Sequence, residues 1–152
     1  MVGIHSLAAL AGWSGLRTYR GAFGPDYFAF QHSGASFLVL DSITIDNPSP
    51  VPGEWEAQLE FVRTELAAAV SRGGPIIVFS HHPAFLKTPD EPTDYWNWPL
   101  ERREVLLRLL RDADAKAVFA GHWHKCHYVD HKEIQMVTSG PVGYPLGDDP
   151  SG

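Results

Sequence analysis

Two short apolar runs in this chain each end in histidines. Pro75-Ile76-Ile77-Val78-Phe79 leads into Ser80-His81-His82-Pro83, and Ala117-Val118-Phe119-Ala120 leads into Gly121-His122-Trp123-His124. Short apolar runs bounded by turn residues read as buried strands. Ligands of open α/β sheets bind outside the carboxyl ends of strands, so two such ends can bring His81, His122 and His124 together. Neutral imidazoles suit Zn, Fe, Mn or Ni. In an extended segment His122 and His124, two residues apart, point the same way. Gly121 lets the backbone turn sharply beside such a site, and Pro83 fixes the exit of the other loop. Either motif alone is common in surface loops. Their conjunction, each behind an apolar strand, favours a metal-centred origin.

The rest of the chain supplies a matching scaffold. Trp13 to Phe23 suggests a short helix, followed by a turn at Phe23-Gly24-Pro25-Asp26. Tyr27 to Gln31 and Phe37 to Leu40 read as two strands joined by a tight turn at Ser33-Gly34. Asn47 to Gly53, with three prolines, is a surface loop. Glu54 to Arg72 is a helix with Trp55, Leu59, Val62, Leu66 and Val70 on one stripe, stopped by Gly73-Gly74. Residues 83–98 form a loop rich in Pro, Asp and Trp. Leu100 to Asp112 is a second helix, with Leu106, Leu109, Leu110 and Ala113 on one side. His127 to Val129 and Glu133 to Val137 suggest a further hairpin. Helices alternating with apolar strands make a βαβ rhythm, which implies a covered, largely parallel sheet.

Composition narrows the function classes. The 152 residues make one domain's worth of chain. The net charge is −6 with no basic cluster, which argues against nucleic acid and anionic membranes as partners. One cysteine, Cys126, excludes an internal disulfide and fits a reducing compartment. The first fifteen residues lack a signal-peptide pattern, and no apolar run is long enough to span a membrane. The expected location is cytoplasmic. Eight histidines on an acidic chain raise the weight of a metal site.

Ser-His-His-Pro at 80–83 and Gly-His-Trp-His at 121–124 resemble the fourth and fifth motifs of the calcineurin-like metallophosphoesterase superfamily. The resemblance runs from about residue 13 to the end. It includes Phe23-Gly24-Pro25-Asp26-Tyr27-Phe28-Ala29-Phe30, Phe37-Leu38-Val39-Leu40-Asp41-Ser42 and the 54–72 helix. Tyr95-Trp96-Asn97-Trp98 and Met136-Val137-Thr138-Ser139-Gly140 are similar to the serine/threonine phosphatase branch that carries a calcineurin-like phosphoesterase domain. The resemblance implies a four-layer α/β/β/α sandwich, a centre of two divalent metals (Mn, Fe or Zn), and hydrolysis of a phosphoester substrate by a hydroxide bound between them. By the same resemblance His81 and His122 bind one metal and His124 the other. His82 lies behind them, near the substrate phosphate.

The first three motifs of that family, Asp-x-His, Gly-Asp-x-x-Asp and Gly-Asn-His-Asp/Glu, do not occur in these residues. In family order they would precede Met1. Residues 1–152 are therefore expected to be a single, truncated domain, a partial sandwich without its N-terminal βαβ portion and last strands. Three neutral histidines do not neutralise or bridge two dications roughly 3.5–4 Å apart. The expectation is one weakly bound metal at most and negligible activity for this chain alone. Two other functions compete. One is a non-catalytic metal-binding or partner-binding module. The other is one half of a split enzyme completed by an N-terminal half in trans.

Some residues carry two readings. Tyr95 and Trp96, with Asp94 and Trp98, are either a wall of the substrate cleft or a loop pinned by aromatic packing, and packing is the better general explanation of aromatics. Lys87 reads as solvated, Cys126 as buried or inert, and Asp41 as a turn cap. His5, His32, His127 and His131 read as solvated or structural.

Overall fold

The computed structural model describes residues 5–141, with side chains from Gly12 onward. Helix α1 spans His5–Phe23 and breaks at Gly12, where φ is 51°. A Cβ there would stand 2.8 Å from the Pro50 carbonyl oxygen, so both the backbone angle and the space demand glycine. The part beyond the break matches the expected helix. Arg20 on α1 reaches Asp26 and Glu54, each at 2.6 Å, and ties this helix to the start of the long one.

Strands β1 (Phe28–His32) and β2 (Ala35–Val39) form an antiparallel hairpin. Ser33 and Gly34 both have positive φ, as a two-residue turn of type I′ requires. A one-turn helix α2 (Ser42–Asp46) follows, then α3 (Glu54–Arg72), β3 (Ile76–Phe79), α4 (Leu100–Asp112) and β4 (Ala117–Ala120). The closing hairpin is β5 (His127–His131) with β6 (Ile134–Thr138). The strand order is β1-β2-β3-β4-β6-β5. The inner four strands pair in parallel and only the two edges are antiparallel.

The register puts Leu38, Val78, Val118 and Met136 in one row across the sheet. That row packs with Val62, Leu66 and Ala69 of α3 and with Leu106, Leu107 and Leu110 of α4. Each such aliphatic side chain gains about 1.5–3 kcal/mol from full burial. On α3, Trp55, Leu59, Val62 and Leu66 of the expected stripe face the core. Val70 is exposed, whereas Gln58 is buried. Gln58 is drawn inward because its side chain accepts the Asp41 N–H at 2.7 Å and donates to the Asp41 carbonyl at 3.1 Å. On α4 the buried side includes Arg103 and Leu107 as well as Leu106 and Leu110.

Among the described residues, no helix layer covers the centre of the opposite face of the sheet. Phe30, Phe37, Phe79 and Phe119 run across it in stacked contact, with ring centroids 4.8, 6.2 and 5.6 Å apart in sequence. Phe79 and Phe119 remain 37% and 36% exposed although they sit on central strands. Among the described residues α3 and α4 cover one face of the sheet, as the expected partial sandwich implies. One helical layer on one mixed sheet is what part of a four-layer sandwich would contribute. No helix among the described residues is long and apolar enough to cross a membrane.

Candidate functional site

The parallel pairing of β3 with β4 continues past the strand ends and sets the site. Ser80 N–H donates to Phe119 O at 3.0 Å, and Gly121 N–H donates to His81 O at 3.0 Å. These bonds bring the two histidine loops side by side. His81 Nε2 and His122 Nδ1 face each other at 3.2 Å. The His82 ring lies 4.1 Å from that of His122, centroid to centroid. His82 and His122 are buried and His81 is half-buried.

His82 is held from two sides. Ser42, the first residue of α2, accepts the His82 backbone N–H at 3.1 Å, and its hydroxyl lies 2.8 Å from His82 Nδ1. Ser80 donates to the His82 carbonyl at 2.8 Å and accepts from Trp98 Nε1 at 3.2 Å. Asp41 fixes Ser42 in turn, accepting from Ile43 N–H and the Thr44 hydroxyl as the cap of α2. Burial pushes the Asp41 carboxyl above its usual pKa, against the hydrogen bonds from Thr44 and Ile43. The expected cap role of Asp41 is therefore the one observed.

The β4 loop differs from its expected geometry. His122 and His124 have φ of 63° and 57°, so the segment is not extended and the two rings do not follow strand alternation. Trp123 N–H donates to Gly121 O at 2.7 Å, a three-residue turn with His122 at its centre. The sharp turn thus falls on His122 rather than Gly121, where a Cβ would meet nothing nearer than His81 O at 4.0 Å. A left-handed non-glycine residue costs roughly 1–3 kcal/mol and concentrates at functional sites.

The aromatic loop divides its members. Trp98 is fully buried, as a packing residue should be. Tyr95 is 67% exposed, and Trp96 is half-buried. Their rings lie 4.8 and 5.3 Å from that of His122. His122 Nε2 also lies 3.0 Å from the Tyr95 carbonyl oxygen. So the structure brings together His81, His82, His122, Tyr95 and Trp96. His124 is half-buried two residues on. Among the described residues, no three or more His, Cys, Asp or Glu side chains form a group that could hold a metal. Cys126 is exposed, so of the buried or inert readings the burial one does not hold. Lys87 is exposed too. His127 faces the Leu86 carbonyl, and His131 stands edge-on to Phe85 at 5.5 Å.

Sequence reasoning missed Ser42, Ser80, Glu91, Asn97 and Arg103. Ser42 had a usable signal, since it directly follows a residue that ends a buried strand. The other four act through contacts that linear spacing does not reveal.

Comparison with known proteins identifies the family. The calcineurin-like phosphoesterase family profile matches residues 6–126. The chain is 40% identical over 131 residues to the serine/threonine-protein phosphatase CPPED1 of Danio rerio, and 38% identical over 132 residues to that of Homo sapiens. These matches cover 86% of this chain but 42% of each relative, so the chain spans less than half their length. Among solved structures, a dimetal phosphatase from Danio rerio superposes with a TM-score of 0.61 at 15% identity, covering 81% of this chain and 55% of its own. GAP50, described as the anchor in the inner membrane complex of Plasmodium, gives 0.59 at 19% identity, covering 82% and 40%. Structural likeness at such low identity speaks for the fold alone. The family match, the two histidine loops and the identity to the relatives converge: this chain belongs to the calcineurin-like phosphoesterase family.

Proposed function

We propose that these residues form the C-terminal part of a metal-dependent phosphoester hydrolase site. The observation that carries this reading is the meeting of His81 Nε2 and His122 Nδ1 at 3.2 Å, at the ends of adjacent parallel strands. Two imidazole nitrogens on one tetrahedral ion, with bonds of roughly 2.0–2.1 Å, stand about 3.3 Å apart. The pair therefore fits one divalent ion, of Mn, Fe or Zn. His124 is assigned to a second ion, His82 to the substrate phosphate, and Tyr95 and Trp96 to a wall of the cleft. When bound, divalent ions supply Lewis-acid neutralisation of phosphoryl charge and an acidified water. The residues of this chain bind and orient. Ser42 and Ser80 hold His82 in place, and the two indole and phenol rings limit water around His122. The names of the relatives make phosphoserine and phosphothreonine the first substrates to try.

Alone, the chain holds at most one ion, weakly, with negligible turnover, because neutral imidazoles bring no charge to offset two dications. The test is co-expression with the part of the Danio rerio relative that this chain does not match. Metal content and hydrolysis of p-nitrophenyl phosphate are then measured with and without His122→Ala. Activity is expected only in the assembled pair and only with His122. An assembled but inactive pair, or two tightly held ions on this chain alone, would sink the reading.

The aromatic row on the open sheet face supports a second reading, a module that works by partner contact. In that case Phe79→Ser with Phe119→Ser abolishes partner binding and His122→Ala is silent.

A further inference from the structure

The loop between β3 and α4 contains a network larger than closing a loop requires. Arg103, fully buried on α4, donates to Trp98 O through Nε and Nη2, at 3.0 and 2.7 Å. Its Nη1 donates to Pro89 O and Glu91 O at 3.0 and 2.7 Å. The Glu91 carboxylate accepts the N–H groups of Leu86, Lys87 and Thr88, and Asn97 Nδ2 donates to it at 2.7 Å. Burial would raise the pKa of Glu91, but these hydrogen bonds outweigh it and hold the carboxyl below its ordinary value. Asn97, itself buried, closes the chain of contacts. Its Oδ1 accepts the Asp94 N–H at 3.0 Å, and Asp94 Oδ1 accepts the Tyr95 N–H at 2.6 Å. The Tyr95 peptide is thereby fixed, and its carbonyl faces His122 Nε2 at 3.0 Å.

A carbonyl only accepts, so His122 donates from Nε2. In the neutral ring this places the lone pair on Nδ1, the atom that faces His81 Nε2. We propose that Asn97, with Glu91 and Arg103, is a positioning residue that fixes the Tyr95 carbonyl and so selects the His122 tautomer able to ligate a metal through Nδ1. The inference rests on the proposed metal role of His122. It deepens that role by giving the loop a purpose beyond packing, and it adds the backbone of Tyr95 to the wall role of its ring. A hydrogen bond to the remote nitrogen of a ligand histidine typically alters metal affinity 10- to 100-fold when removed.

The test uses the full chain without metal. Nitrogen-15 NMR of the His122 ring distinguishes a protonated Nε2 with a bare Nδ1 from the reverse. Wild type should show the first pattern, and Tyr95→Ala should keep it because the carbonyl remains. Asn97→Ala should give an averaged or reversed pattern and weaken Zn²⁺ binding at least 10-fold by calorimetry. Glu91→Gln, which preserves shape, should give the same change to a smaller degree and serves if Asn97→Ala does not fold. A wild-type ring protonated on Nδ1, or variants with unchanged tautomer and Zn²⁺ affinity, overturns the inference. The tautomer is read without metal or turnover. An inactive assembled pair with the expected tautomer therefore counts against the proposed function and not against this one.

Discussion

The two faces of the six-stranded sheet were built from similar residues and ended in different states. Alternate residues of the same strands supply Val78 and Val118 to the helix-covered side and Phe79 and Phe119 to the open side. On the covered side Leu38, Val78, Val118 and Met136 share one core cluster with residues of α3 and α4. On the open side the aromatics have mainly one another. Near the β2 and β3 ends α1 approaches this side, leaving a cleft of about 260 Å³ lined by Leu16, Tyr19, Phe28, Val39 and Phe79 and reaching His81. Hydrophobicity thus identifies sheet residues without telling which face has company. Apolar patches of this kind on a soluble chain usually mark an interface.

The largest test of the contrast is a charge in the covered row. Val118→Asp should cost more than about 4 kcal/mol, because a carboxylate buried among aliphatics has no partner. Urea melts would read this as loss of a cooperative transition, and a stable variant would mean that the covered side is not the core. Gln58→Ala should cost about 1–3 kcal/mol, since it strands the buried Asp41 N–H. A drop below the detection limit would show that water replaces the amide.

Asp41 gives the contrast a pH signature. Burial raises its folded pKa above the ordinary carboxyl value of 3.8. The folded state therefore binds more protons between the two values. The contribution to stability is complete below pH 3.8 and is lost as pH rises through the folded pKa. Asp41→Asn keeps a cap and removes that slope, so its stability relative to wild type should improve from pH 4 to pH 7. A flat difference would mean that Asp41 is better solvated than its surroundings indicate. The smallest effect is expected on the open side. Phe119→Ser should change stability by less than about 1 kcal/mol, while reducing binding of a hydrophobic dye. A cooperative loss of several kcal/mol would show that this face is covered in solution.

Much of the scaffold was legible because its signals are local. The α3 and α4 boundaries follow from Gly73-Gly74 and from apolar spacing, and both emerge as expected. The β4 strand and the Ser33-Gly34 turn do too. Gln58 on α3 escapes apolar spacing because it looks polar in sequence, and its two bonds to Asp41 make it a core residue. His81 and His122 were legible as partners from their positions behind two apolar strands. Their contact came from the register of β3 on β4, which depends on residues about forty positions apart.

What the sequence determined by itself was therefore the local grammar: strand, turn and helix, and histidines at two strand ends. Those follow from backbone sterics and side-chain period, which act over a few residues. Tertiary structure decided three other things: which sheet face is covered, the left-handed turn at His122, and the path from Arg103 through Glu91 and Asn97 to the Tyr95 carbonyl. Each depends on hydrogen-bond and packing partners distant in the chain. Such partners have no spacing rule until the sheet has brought them together.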